Sequence, residues 1–432
     1  MTESFNGGTM KNKIKIDPKY GLMIGVAFAQ ILFGFSQNSG AEILSGLKSI
    51  LTQPSSLISD YIGLGNMGAA FVNSGLVLLV LLFLLSFLKQ ALNGPLIAAL
   101  FTITGFAFFG KNLFNVWPIL LGVYGYSIFK KEKFNKFLVA ALFGTAMAPA
   151  ISEIAFGSSL SLMISLPLAL FSGILLGFLI YPLAVSLINV HQGYNLYNIG
   201  FVVGMTGLVF VSILRSFGYV PTPKLIWTTG NNLVLGIYLI TLFILILLYG
   251  FIINNQSFKN YREILDHSGK LMSDFIQLEG YGVTLINMGL VGLISVFYIL
   301  LIQGDLNGPT IGGIFTVAGF GAFGKHPKNI LPIFLGVLLG SLLKVFSIND
   351  PSIQLAALFG TALAPIAGKF GWPWGVVAGF VHSSVVLNVG YLHGGFNLYN
   401  NGFSAGLVAA VLLPIIGMFT KNESTATTEK KS

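Results

Sequence analysis

Residues 93–123 read NGPLIAALFTITGFAFFGKNLFNVWPILLGV, and residues 307–337 read NGPTIGGIFTVAGFGAFGKHPKNILPIFLGV. The two stretches align without a gap. Further blocks recur in the same order, namely 57–62 with 271–276, 71–76 with 285–290, 140–146 with 356–362, and 191–198 with 393–400. Self-similarity of this kind indicates an internal duplication. The chain therefore consists of two related copies.

The composition places both copies in a membrane. Of the 432 residues, 54% are hydrophobic and 9% are charged, and the mean hydropathy is +0.83. Soluble domains carry about 25% charged residues, so this chain cannot build an ordinary water-facing surface. The 53 glycines suit helices that pack closely in lipid. The absence of cysteine excludes disulfides and thiolate metal sites, and the basic balance indicates membrane orientation rather than a nucleic-acid partner.

Apolar runs predict an all-α polytopic membrane protein with about fourteen segments, since about 20 apolar residues cross the hydrocarbon core. Each copy holds about seven such runs. Because seven is odd, the second copy must start from the opposite side of the membrane. The prediction is a pair of inverted-topology repeats, an arrangement found in transporters whose site lies near the bilayer midplane.

Two matching pairs of runs leave the topology open. Runs 94–110 and 115–129 are short and interrupted by Gly, Pro and Asn, as are their mates at 308–324 and 329–346. They either cross the membrane or form re-entrant hairpins. The inversion holds in both cases, but a hairpin would place the lysines at its tip inside the membrane. Short, broken segments in corresponding positions of two halves are typical of a transporter's binding site.

The predicted organisation is a tail, two membrane repeats and a connector. The bounds are 1–19 for the N-terminal tail, 20–215 for repeat 1, 216–280 for a linker helix and connector, 281–419 for repeat 2, and 420–432 for the C-terminal tail. Run 231–253 lies within the connector but belongs to repeat 2 by its place in the duplication.

The distribution of basic residues predicts the orientation. With the N-terminus inside, most of the 23 lysines and arginines fall on the inside, in agreement with the positive-inside bias. The exceptions are Lys48, Lys111, Arg215, Lys224 and Lys344. We therefore expect an integral protein of a bacterial plasma membrane with both termini in the cytoplasm.

The doubled motifs resemble those of a known protein family. Asn-Gly-Pro at 93–95, Gly-Phe-x-x-Phe-Gly-Lys at 105–111 and His-x-Gly-x-Asn-Leu-Tyr-Asn at 191–198 resemble an uncharacterised family of bacterial multi-pass membrane proteins, a domain of unknown function. The resemblance covers nearly the whole chain and implies no known activity. The chain is more faintly similar to urea transporters, which also consist of two inverted halves. Their threonine-rich pore signature is absent, so this similarity supports the fold more than a substrate.

Duplicated polar and aromatic side chains in these motifs are the candidate contacts for a solute. Asn93 and Asn307 lie at run ends, where helix capping explains them as well as pore lining does. Lys111 and Lys325 either meet a solute or extend to the membrane interface. The full set is Asn93, Asn307, Thr102, Thr316, Phe106, Phe320, Phe109, Phe323, Lys111, Lys325, Asn195, Asn397, Tyr197, Tyr399, Asn198 and Asn400.

The remaining titratable residues bear on coupling and catalysis. His191 and His393 occupy matching positions and are candidates for a proton relay, with a plain interfacial role as the alternative. Glu153 is the one acid clearly within a run, whereas coupled carriers keep carboxylates in the membrane. The chain has no H-E-x-x-H or G-x-S-x-G motif. We therefore expect no enzyme activity, no metal and no cofactor.

Together these features predict a channel or facilitative transporter for a small, polar, uncharged solute. Two alternatives stay open. One is an ion-coupled carrier for a small anion that uses Lys111 and Lys325, and the other is a non-transporting membrane scaffold or enzyme. The expected partners are the lipid bilayer and a small-molecule solute, without nucleic acid. The sequence leaves open whether the protein forms a homo-oligomer.

Overall fold

The computed structural model describes residues 17–55, 57–221 and 225–429. These residues form helices and no β-strand, which confirms the all-α prediction. The helices of the first copy are α1 (Pro18–Gln37), α2 (Gly40–Thr52), α3 (Met67–Phe87), α4 (Gly94–Phe106), α5 (Trp117–Phe129), α6 (Phe134–Gly157, with 3₁₀ and π turns), α7 (Leu162–His191) and α8 (Asn198–Ser216).

The second copy repeats these helices in the same order. They are α9 (Asn232–Ile253), α10 (Tyr261–Asp266), α11 (Tyr281–Leu301), α12 (Gly308–Phe320), α13 (Pro327–Leu343), α14 (Pro351–Phe370), α15 (Trp372–Leu387) and α16 (Asn400–Glu429). Two pairs of corresponding helices differ in length. Helix α10 has 6 residues where α2 has 13, and α15 has 16 where α7 has 30.

Length and composition identify the chain as a polytopic helical membrane protein. Within the described part, nine helices are long and apolar enough to cross a membrane. Helices α4, α5, α12, α13 and α15 are apolar but shorter. These fourteen segments agree in number and position with the runs read from the sequence.

The short helices form two hairpins whose tips are buried inside the protein. Helices α4 and α5 have 13 residues each, about 20 Å at 1.5 Å per residue. At the tip, the side-chain amide of Asn73 donates to the carbonyls of Ala107 and Lys111. Asn73 lies about 9 Å inside the start of α3, and Lys111 is fully buried. Lys325 is also fully buried, so neither lysine is in a surface loop, which favours the re-entrant alternative.

The two hairpins lie antiparallel against each other. Helix α4 begins at Gly94, whose N–H donates to Asp274 at 3.2 Å, beside the end of α12. Helix α12 begins at Gly308, whose N–H donates to Asp60 at 3.2 Å, beside the end of α4. Each hairpin thus starts where the other turns, as an inverted repeat requires. We call the end of the molecule at Gly94 and Asp274 face A, and the end at Gly308 and Asp60 face B.

Polar contacts place the other loops on these two faces. The loop before α6 lies on face A, because the Asn135 amide donates to Gln90 at 3.0 Å, just before α4. The matching loop before α14 lies on face B, because Gln354 accepts from the backbone N–H of Asp305 at 3.0 Å, just before α12. Corresponding loops of the two copies therefore lie on opposite faces.

Single-cysteine labelling tests this inversion directly, because the chain has no native cysteine. We expect Glu132→Cys, after α5, and Val345→Cys, after α13, to react with a membrane-impermeant maleimide from opposite sides. Val345 is 95% exposed. Arg262→Cys, in α10 on face A, is the control and should label from the same side as Glu132→Cys. Labelling of positions 132 and 345 from one side would contradict the fold.

Candidate functional site

A cavity of about 540 Å³ lies between the two copies. Its mouth is on face A, where the exposed side chains of Lys136 and Met272 border it. Both copies line it inside. The predicted residues along its wall are Thr102, Phe106, Tyr197, Asn198, Thr316, Phe320, Phe323 and Tyr399. The site predicted at the junction of the copies therefore exists as a space, and half of the candidate residues border it.

Two lysine–tyrosine pairs form across the copies at this cavity. Lys111 Nζ donates to the hydroxyl of Tyr399 at 2.7 Å, and Lys325 Nζ donates to the hydroxyl of Tyr197 at 2.5 Å. Lys325 also donates to Thr361 Oγ1 at 2.6 Å. Both lysines are fully buried, whereas both tyrosines line the cavity. The tyrosines therefore stand between the lysines and the cavity.

The tip of each hairpin is shaped by a glycine and fixed by asparagines. Gly110 has φ +147° and Gly324 has φ +100°, in the region of backbone conformation that favours glycine. Asn115 donates to the Gly110 carbonyl at 3.0 Å, and Asn329 donates to the Gly324 carbonyl at 2.9 Å. These bonds satisfy carbonyls that water cannot reach in lipid. They hold the following residue, the lysine, in a fixed place.

The tyrosines are positioned by the other doubled motif. The backbone N–H of Tyr197 donates to Asn195 Oδ1 at 3.0 Å, and that of Tyr399 donates to Asn397 Oδ1 at 2.8 Å. Asn195 also donates to the Gly402 carbonyl across the copies at 2.9 Å. These asparagines fix the turn before α8 and before α16. They hold the tyrosines rather than lining the cavity themselves.

Aromatic rings enclose the lysine–tyrosine pairs. The Phe106 ring lies 4.8 Å from the Tyr399 ring, and the Phe320 ring lies 4.8 Å from the Tyr197 ring. Phe109 stacks on Phe106 at 4.6 Å. Phenylalanines that the sequence analysis named as candidate contacts thus form clusters around the two buried lysines.

The threonines and the helix-start asparagines have backbone partners. Thr102 and Thr316 donate to carbonyls four residues earlier in their own helices, at 2.7 Å each, while facing the cavity. Asn93 accepts from the Leu96 N–H at 3.0 Å, and Asn307 accepts from the Thr310 N–H at 3.1 Å. Asn93 and Asn307 are helix caps outside the cavity wall, which is the alternative that the sequence analysis gave for them.

The histidines contact asparagines of their own copy. His191 Nε2 lies 3.0 Å from Asn198 Oδ1, and His393 Nδ1 lies 3.1 Å from Asn400 Oδ1. His393 Nε2 is also 3.1 Å from the Gly204 carbonyl. Both rings are buried behind the cavity wall. They support the segments that carry the tyrosines, and the proton relay stays a prediction.

Two acids that the sequence analysis did not single out occupy central places. Asp60 accepts from the N–H groups of Gly308 and Ile62, and Asp274 accepts from those of Gly94 and Ile276. Each carboxylate thus caps a helix of the opposite copy. The signal was present in the sequence, because Ser-Asp recurs in the duplicated blocks at 57–62 and 271–276.

Fold and cavity together define a class, a helical membrane protein of two inverted repeats with a cavity and two buried lysines between them. The sequence model of a family described as "Protein of unknown function (DUF1576)" matches residues 39–216 and 253–418, and the chain belongs to this family. The two matched segments correspond to the two copies, which confirms the main resemblance. No curated protein and no solved structure matches the chain. The fainter similarity to urea transporters is not shown by these comparisons.

The capping carboxylates lead to a prediction about stability. Asp60→Asn keeps the shape of the side chain but removes the charge that Gly308, Ile62 and Thr228 bond to. We expect a loss of about 1.5–3 kcal/mol in the free energy of unfolding, the value of a hydrogen bond to a charged group. Unfolding of the purified protein in mixed micelles, followed on titration with SDS, measures it.

Asp350 provides a matched control, because it precedes α14 but is exposed. Asp350→Asn should change stability by less than about 0.5 kcal/mol. Equal stabilities of the two variants would show that the capping bond across the copies contributes nothing.

Proposed function

We propose that the protein is a transporter that moves a small solute through the space between its two copies. The observation that carries the proposal is the cavity that enters from face A and ends at lysine–tyrosine pairs shared by both copies. Transporters built from inverted repeats bind their solute where the repeats meet, on interrupted helices near the midplane. Here the interrupted helices are the two hairpins.

Face B is closed over the corresponding region by the connector segment 225–230. Ile226 exchanges backbone hydrogen bonds with Ile58 and Asp60, at 3.0 and 3.2 Å. Thr228 Oγ1 donates to Asp60, and its carbonyl accepts from the Asn307 amide at 3.0 Å. A cavity that is open on one face and covered on the other is the geometry of a carrier that opens to each side in turn, rather than of a continuously open pore.

The duplication also predicts a second conformation. Because each copy contains the same hairpin, caps and tyrosine turn, an exchange of the local arrangements of the two copies would open the cavity to face B and close it on face A. Inverted-repeat transporters alternate in this way around a fixed site. The lysine–tyrosine pairs would remain at the centre while the covers on the two faces change.

We further propose facilitated rather than ion-coupled movement. Glu153 lies in α6, where its carboxylate accepts from the Tyr219 hydroxyl at 3.3 Å. It is not part of the cavity wall. A carrier driven by protons or sodium normally places carboxylates along the pathway.

The charge distribution supports an orientation in which face A is cytoplasmic. The basic cluster at 130–136 lies on face A, beside the mouth of the cavity. Lysines and arginines concentrate in the cytoplasmic loops of membrane proteins. We therefore propose that the protein lies in a bacterial plasma membrane and that the structure represents its inward-open state.

A reversible disulfide on face B tests the carrier cycle. A Cβ added at Gly63 would lie 3.0 Å from Thr228 Cγ2, so Gly63→Cys with Thr228→Cys brings two sulfurs within bonding range. We expect oxidation to stop uptake into proteoliposomes and dithiothreitol to restore it, because face B could no longer open. Stopped-flow light scattering with urea, glycerol, acetate and hexanoate as probes measures the flux.

The two single-cysteine variants are the controls, and oxidant should leave their flux unchanged. Flux through the oxidised double variant at the rate of the reduced one would show that face B need not open. If none of the probes crosses faster than in protein-free vesicles, the result would favour the non-transporting scaffold.

A further inference from the structure

Aromatic rings surround the two buried lysines. Lys111 Nζ lies 5.2 Å from the centre of the Phe106 ring and 4.7 Å from that of Tyr399. Lys325 Nζ lies 5.1 Å from the Phe320 ring and 4.5 Å from the Tyr197 ring. Aromatic faces attract ammonium ions within about 6 Å, and the attraction grows when water is excluded. The same arrangement occurs in both copies, so two lysine side chains lie at the site, each in contact with two aromatic rings.

Neither ammonium has an anionic partner in the described part of the chain. Their hydrogen-bond acceptors there are the hydroxyls of Tyr399, Tyr197 and Thr361. A lysine at the bilayer centre is unfavourable by about 2.5–3.5 kcal/mol or more. Hydroxyl groups and aromatic rings offset part of this, but they do not neutralise the charge. The described surroundings of the two lysines therefore lack a negative charge that pairs with them.

The tyrosine hydroxyls connect the two buried lysines to the cavity. A lysine ammonium has three hydrogens and no acceptor, so the Tyr399 oxygen must accept from Lys111. The hydroxyl hydrogen of Tyr399 is then directed elsewhere, and Tyr399 lines the cavity. An O–H group polarised by a neighbouring ammonium is a strong donor to an anion. Tyr197 faces the cavity beside it in the same way, although its lysine is shared with Thr361.

The rest of the cavity is apolar. Phe143 and Phe359 also lie along its wall, with Val139 and Ile188. A small inorganic anion would leave these surfaces facing water, whereas an alkyl or aromatic group would cover them and gain free energy from leaving water. Cavities of this size bind organic molecules, with a few polar groups that set orientation.

We propose that the solute of this transporter is a small organic anion, with a carboxylate-type group bound by Tyr399 and Tyr197 and an apolar body against Phe143 and Phe359. The inference rests on the proposed transport function for its biological meaning. It departs from the uncharged solute that the sequence analysis favoured. The chemical basis is a pair of buried lysines with hydroxyl partners only, both connected to one cavity through tyrosines, so that a bound anion would stabilise their charged form.

Binding of matched acids and amides to the purified protein tests the charge preference. The probes are hexanoate with hexanamide, and benzoate with benzamide, at pH 7, where the acids are ionised. Isothermal titration should show binding of each carboxylate tighter than that of its amide by roughly tenfold or more, the factor that one charge-assisted hydrogen bond supplies. Amides that bind as tightly as the acids would overturn the inference.

Variants assign the preference to the proposed groups. Lys111→Met with Lys325→Met should abolish the preference for the carboxylate, and so should Tyr399→Phe with Tyr197→Phe, which keeps both lysines and both rings. Lys270 lies over the Tyr194 ring, 4.7 Å from its centre, in a comparable pair outside the cavity wall. Lys270→Met and Tyr194→Phe are therefore the controls and should keep the preference.

The outcomes separate the solute class from the transport function. Selective carboxylate binding without flux in proteoliposomes would support the site and contradict transport. Flux of urea or glycerol without carboxylate selectivity would support transport and overturn the organic anion. Retention of the preference by both pairs of variants, with unfolding curves like that of the wild type, would also overturn it.

Discussion

The structure depends on the capping of each hairpin by a carboxylate of the opposite copy. The first N–H groups of a helix have no partner within the helix, and in lipid no water is available to satisfy them. Asp60 accepts from the start of α12, and Asp274 accepts from the start of α4. A negative charge at a helix N-terminus also interacts favourably with the helix dipole. Neither copy can bury its hairpin alone, so the two copies must assemble in opposite orientations.

This exchange of helix caps between the copies determines where the acids and the lysines lie in the interior of the protein. The carboxylates are used at the outer ends of the hairpins, where helices begin, while the lysines stand at the tips, where helices end. The tips of both hairpins meet the tyrosine turns of the opposite copies, so both lysines lie between the copies, while the neighbouring Asp60 and Asp274 accept from backbone N–H groups instead. The fold thereby uses its two central carboxylates as helix caps and leaves the two lysines with hydroxyl partners, on which the proposed anion site rests.

Much of this could be predicted from the sequence, because duplication and apolar length are local signals. The shared blocks at 93–123 and 307–337 gave the repeats, and an odd number of crossings gave their inversion. The sequence analysis left the hairpins open and missed Asp60 and Asp274, because the N–H groups that these acids bind belong to the other copy. It also could not separate the tyrosines, which reach the cavity, from Asn195 and Asn397, which position them. That distinction depends on packing between the copies, which produces no periodic pattern in the sequence.

Differences between the copies show which face is covered. The connector segment 225–230 is held on face B by Asp60, whose bond from Thr228 has no counterpart among the described contacts of Asp274. At the centre, Asn195 reaches across to Gly402, whereas the side-chain nitrogen of Asn397 has no partner in the described structure. Two copies with the same motifs thus adopt different local arrangements. The hairpin, the carboxylate cap and the tyrosine turn nevertheless recur in both copies, so each copy has these parts available for the arrangement that the other adopts, and this supports the proposed alternation around a shared site.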